Sequence, residues 1–176
     1  MDLEETKRVL QGRWMDHPLH PLVVTFPLGL WTASAAFDIL SLITGKPRFR
    51  KVADATMAAG LAGAAVAAST GLAEFADMDP SPGRQHATIH GIGNGLLTGL
   101  YGVNWALRRT CDGSRRAPFW PFLLSLAGIG GLTFTGWLGG HMVYRHGVGV
   151  DTEHTQEHAQ EPRAAEQTRE REMVHA

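Results

Sequence analysis

The sequence holds a single cysteine, Cys111, in 176 residues. That scarcity excludes an internal disulfide framework, a cysteine-based zinc site, a Rieske cluster and the paired cysteines of covalent haem attachment. Neither sign of charge is in excess: 16 Lys+Arg stand against 17 Asp+Glu. No global basic field therefore supports a nucleic-acid partner. The most informative absence is of any charge at all over four long stretches. No Asp, Glu, Lys or Arg occurs from His17 to Phe37, from Ala55 to Ala73, from Gln85 to Leu107, or from Ala117 to Tyr144.

Each stretch approaches the roughly 20 apolar residues that a helix needs to cross a bilayer. A soluble bundle would carry a polar stripe on every helix. The mean hydropathy of -0.10 hides this partition, because the charges gather between the stretches and in the tails. The pattern predicts an all-α integral membrane four-helix bundle, up-down-up-down, with helices near 22–43, 52–73, 86–107 and 119–143. A polar N-terminal segment over 1–16 precedes a transmembrane domain over 17–146, and a charged, disordered tail over 147–176 follows. No small-residue cleavage site follows the first apolar run, so the first helix is expected to be retained. Gly91, Gly95 and Gly99, and likewise Gly136 and Gly140, form small-residue ladders that read as helix packing, within the chain or in a homo-oligomer.

Loop cations set the orientation. Lys46, Arg48, Arg50, Lys51, Arg108, Arg109, Arg115 and Arg116 lie on one side, against Lys7, Arg8, Arg13, Arg84, Arg145 and Arg163 on the other. This bias of eight against six places both termini outside the cytoplasm, in a multi-pass protein of the cytoplasmic (inner) membrane. Cys111 then faces the reducing compartment.

Histidine carries the chemistry. His17 and His20 precede the first helix, His86 and His90 open the third, and His141 and His146 close the fourth. The chain reverses at each crossing, so all six share one membrane face whichever way the protein is inserted. Glu74, Asp77 and Asp79, at the end of the second helix, join them. Facing helices at one end of a bundle are a common place for metal and cofactor sites. His86, His90 and Asn94 stand at i, i+4 and i+8, which puts His90 ~6 Å deeper than His86. An imidazole at that depth needs a partner or a cofactor. In His17-Pro18-Leu19-His20-Pro21 each proline stiffens the backbone at the preceding histidine, a way to hold two rings toward one point. Glu74 and Asp77, at i and i+3, suit acceptors that orient imidazoles.

A candidate cofactor set follows: His17, His20, His90, His141, His146 and Asn94, with His17, His20, His86, His90, Glu74 and Asp77 as the metal-ligating alternative. Each histidine also has a plain reading as an interfacial polar residue, and His154 and His158 in the tail read as solvated. On the opposite face, Asp38 and Asp54 are intramembrane carboxylates, close enough in topology to meet each other, Asn104 or the loop cations. A structural role fits them better than a proton relay, since neither is near the midplane.

The segments HPLHPLVVTFPLGLWTASAAFD, R-x-x-A-x-x-H-x-x-x-N from Arg84 to Asn94, and GWLGGHMVYRHGVGV from Gly136 to Val150 resemble the predicted membrane proteins called domain of unknown function 2231. The resemblance spans about His17 to Val150 and implies a small helical membrane domain. Some members continue into a Rieske domain, which this chain, without a cysteine pair, lacks. Residue by residue it points to His17, His20, Asp38, His90, Asn94 and His146, with His141 more variable. Three functions are open. The first is a redox component binding haem b or a transition metal, with a redox partner protein. The second is a metal-handling protein, and the third a cofactor-free subunit that docks a partner. No catalytic constellation is found, so no enzyme activity is assigned.

Overall fold

A computed structural model describes residues 2–110 and 119–150. Cys111, Arg115, Arg116, Arg163, His154 and His158 lie outside the described residues. Among those described, the regular structure is entirely helical, in the order α1 (Leu3–Leu10), a 3₁₀ turn (Arg13–Met15), α2 (Leu19–Val23), α3 (Thr25–Thr44), α4 (Pro47–Ala76), α5 (Pro82–Thr110) and α6 (Phe119–His146).

The helix boundaries follow local chemistry. Asp2 caps α1 by accepting the Glu5 N–H at 2.7 Å. Between α2 and α3 the chain breaks at Val24, where Pro27 supplies no N–H to the carbonyl four residues back. Gly45 ends α3 with φ 65°, its N–H donating to the Ser41 carbonyl at 2.9 Å, and Pro47 opens α4 in the first turn, where its missing donor is tolerated. Helices α3, α4 and α5 extend three or more residues beyond the charge-free gaps, because the flanking charged turns stay helical, and α6 ends two residues beyond its own.

Three helices are long and apolar enough to cross a membrane: Leu19–Thr44, taking α2 and α3 together, Pro47–Ala76 and Phe119–His146. Helix α5 matches them in length, but histidines, asparagines and five glycines between Gly91 and Gly102 make it less apolar. The most extensive packing pairs α3 with α4 and α5 with α6, and α4–α5 and α3–α6 contacts close the ring. Helices α1 and α2 lie against α4.

The core is a layer of Trp31, Met57, Ala64, Leu97, Tyr101 and Leu132. Trp31 stacks on Tyr101 at 4.0 Å between ring centroids, 12° from parallel, and donates to the Met57 carbonyl at 3.3 Å. Glycine makes the stack fit: a Cβ at Gly60 would come within 2.5 Å of Trp31, and one at Gly128 within 2.5 Å of Tyr101. The ladders expected to pack do not do so within the chain. A Cβ at Gly91, Gly95, Gly99, Gly136 or Gly140 would meet nothing within 4 Å, so within the chain these faces point outward. The packing glycines are others, because a spacing of four fixes a helix face but not which face turns inward. Large apolar side chains such as Leu72, Leu96, Phe134 and Trp137 are also exposed, as expected of a surface that meets lipid.

Candidate functional site: a histidine end and an arginine end

Two groups of imidazoles form at the end of the bundle where α5 starts and α6 finishes. In the outer group, His86, His141 and His146 each offer a ring nitrogen, and these atoms lie within 4.8 Å of one another. Their ring centroids are 5.2 Å (His86–His141), 4.8 Å (His86–His146) and 5.5 Å (His141–His146) apart. Tetrahedral ligands around one metal at ~2 Å bonds have centroids ~5 Å apart, so the rings are spaced as such a site requires. Nitrogens bound to one metal would sit ~3.3 Å apart, so ligation would require a closure of up to ~1.5 Å. His86 Nδ1 donates to the Pro82 carbonyl at 2.8 Å. A carbonyl only accepts, so in the neutral ring Nε2 keeps its lone pair, the tethering usual for a metal-ligating histidine. Trp137 lies beside His141, centroids 5.5 Å apart.

The last ligand is set by the end of α6. Gly147 takes φ 63°, the Gly147 N–H donates to the Val143 carbonyl at 3.1 Å and the Val148 N–H to the Met142 carbonyl at 3.2 Å. This left-handed cap folds Val148 back onto buried Gly83 at the start of α5, where an added Cβ would be 3.1 Å from Val148 Cγ2 and 3.3 Å from His146 Cβ. Gly83 therefore lets the end of α6 close on α5 and brings His146 to His86.

The inner group is His20 and His90, with centroids 6.4 Å apart and ring planes at 86°. His20 Nδ1 donates to the Ala67 carbonyl at 2.9 Å, with Thr70 Oγ1 at 3.2 Å, and His90 Nδ1 donates to the Thr135 carbonyl at 3.1 Å. Asn94 Nδ2 donates to His90 Nε2 at 3.0 Å. Gly71 and Gly139 provide the room: a Cβ there would come within 2.9 Å of the His20 ring and 3.3 Å of the His90 ring.

The expected single convergence is thus divided. His17 is exposed, its Nδ1 donating to the Met15 carbonyl at 3.0 Å, and belongs to neither group. The two histidines of the HPLHP segment part because His20 lies inside α2, with Pro21 in its first turn, instead of in the extended backbone that the proline favours. Glu74 accepts the backbone N–H of His20 at 3.4 Å and not a ring proton. Asp77 is held by Lys7 and by Gln11 Nε2 at 2.5 Å. The Lys7 contact holds Asp77 below the ordinary carboxylate range, helped by Gln11, and Asp77 in turn raises Lys7.

At the other end, Asp38 and Asp54 both meet Arg108. Its guanidinium takes Asp38 as a two-pronged pair (one bond at 2.8 Å), Asp54 at 3.1 Å, Asn104 Oδ1 at 3.1 Å and Ser125 Oγ at 3.1 Å. Asp38 comes from α3, Asp54 from α4, Asn104 and Arg108 from α5, and Ser125 from α6, so one cluster ties the four long helices together. Arg50 and Arg108, counted above as loop cations, are buried at 6% and 2% exposure within helices. The signal for Arg108 was available: it stands four residues after Asn104, on one helix face.

None of the curated proteins and none of the solved structures matches this chain. One family does. Residues 16–152 match the family described as predicted membrane protein (DUF2231), and the chain, with its apolar spanning helices, belongs to that family of membrane proteins.

Proposed function

We propose that this protein binds a transition-metal ion at His86, His141 and His146, at the extracytoplasmic end of a four-helix, up-down-up-down bundle in the cytoplasmic membrane. The observation that carries the reading is the approach of three ring nitrogens to within 4.8 Å. Helix α5 supplies the fourth crossing in this reading: it packs between α4 and α6, and Arg84 and Arg108 delimit its uncharged stretch. Imidazole donors without thiolate suit Zn, Cu or Ni. Beneath the histidines the stacked Trp31–Tyr101 layer fills the bundle, which favours a site that binds metal from the aqueous side over a pore that conducts it.

The inner pair supports a second reading, a redox site with haem b. Two imidazoles on opposite sides of one iron have centroids ~6.3 Å apart at ~2 Å bonds, close to the 6.4 Å of His20 and His90. Each ring is tethered through Nδ1 as an axial ligand would be, although Asn94 must leave His90 Nε2 to admit iron.

Metal analysis and an ultraviolet-visible spectrum of the detergent-purified protein separate the two. One equivalent of metal, lost in His86→Ala and kept in His90→Ala, is the expected result. A Soret band lost in His90→Ala selects the haem reading. A protein with neither, whose thermal stability is unmoved by added Zn(II), Cu(II) or haem, overturns both readings and leaves that of a cofactor-free subunit standing.

A further inference from the structure

We infer that the fourth coordination position of the His86–His141–His146 site is taken by a small anion entering from water: hydroxide, bicarbonate or a carboxylate. The inference rests on the metal reading above and deepens it. Three imidazoles are neutral donors, so a divalent ion bound by them keeps its full charge. Among the described residues, no carboxylate joins the three-histidine group to neutralise that charge as a fourth ligand. Glu74 is engaged with the backbone of His20, and Asp77 with Lys7 and Gln11.

The surroundings add positive charge. Arg145, next to His146 in the chain and exposed, lies within electrostatic reach of His141. His146 is exposed and His86 and His141 are half-buried, so one side of the site is uncovered by the chain, and in the orientation proposed above that side meets water. A divalent ion with three fixed ligands, a free position and a neighbouring guanidinium is an anion receptor, and a water molecule bound there becomes markedly more acidic.

The test uses the full-length protein loaded with Co(II), whose visible bands report coordination, and azide as the anion probe. The expected result is a saturable, reversible shift of the Co(II) bands with azide, displaced competitively by bicarbonate. Arg145→Gln should weaken azide binding several-fold. His146→Ala should weaken Co(II) binding itself ~10-fold or more, the loss seen even for disturbed partners of metal ligands. Co(II) that binds stoichiometrically but ignores azide and bicarbonate means that the chain itself closes the fourth position, which overturns the inference and leaves the metal reading intact. Failure to take up Co(II), Zn(II) or Cu(II) overturns both.

Discussion

The two ends of the bundle use polar residues in opposite ways. At the arginine end, a guanidinium, two carboxylates, an amide and a hydroxyl are turned inward and spent on one another. Asp38, Asn104 and Ser125 are all fully buried. At the histidine end the outer rings are half-buried or exposed, and only His86 among them has a hydrogen bond of its own to the backbone, at Pro82. A polar cluster whose members are all satisfied fixes a fold. One that keeps free lone pairs at the water's edge is available to a ligand. The inner pair stands between these extremes, with both rings tethered to helical carbonyls.

Breaking the arginine end should have the largest effect. Asp38→Ala leaves the Arg108 charge buried with its main partner gone, and removing one member of a buried pair costs about 3–5 kcal/mol. Denaturant unfolding in detergent should show that loss, with metal stoichiometry unchanged in the folded fraction. His86→Ala should do the reverse, abolishing metal binding with little change in the stability of the metal-free protein. Equal effects of the two variants on stability would erase the distinction between the ends.

The comparison sharpens at Gly83, which bears no ligand atom. Gly83→Val should lower metal affinity ~10–100-fold by pushing Val148 and His146 away, a loss typical of disturbed ligand-positioning groups. Adding Val148→Ala to the same chain should restore part of it. Isothermal titration of the single and double variants reads this directly. An unchanged affinity in Gly83→Val would show that His146 finds His86 without the cap.

The smallest effect concerns the strap between α1 and α4. Asp77 titrates below its ordinary value of 3.8, so its contribution is present above that value and fades as pH falls through the lower folded one. Lys7 titrates above its ordinary value of 10.5, so its contribution is present below that value and fades as pH rises through the higher folded one. Protection factors of the α1 amides, which correct for the intrinsic pH dependence of exchange, should therefore stay high across neutral pH and fall at either extreme. Asp77→Asn should lower them throughout. Metal binding should also weaken below neutral pH, because a protonated imidazole cannot ligate.

Much of this was legible in the sequence. Charge-free gaps located the helices, and chain reversal implied meetings that the structure does contain, His86 with His141 and His146, and His20 with His90. The grouping of those histidines was not legible, for a geometric reason. His141 and His146 are five residues apart, ~140° around a regular helix, so no stripe joins them. They meet around His86 only because the Gly147 cap ends the helix and Gly83 admits it. Likewise the scan for i, i+4 glycines found faces that point outward, whereas Gly71 and Gly139 are recognisable only from the rings they accommodate. Arg108 was hidden by counting charge at the edge of a gap instead of asking which way it turns.

The lengths of α4, α5 and α6, 30, 29 and 28 residues, bear on where the proposed metal site would stand relative to a membrane. At 1.5 Å per residue they run ~42–45 Å, well beyond the ~30 Å hydrocarbon core. In helices that cross with little tilt, the surplus would stand among the lipid headgroups. His86 lies only two residues, ~3 Å, below the charged Arg84, so in the four-crossing arrangement proposed above the outer histidines would stand at the level of the phosphates. Lipid composition then becomes a variable of the site. Anionic headgroups concentrate divalent cations at its mouth and compete for them there, so apparent affinities in nanodiscs should follow the fraction of anionic lipid in a way that detergent micelles conceal.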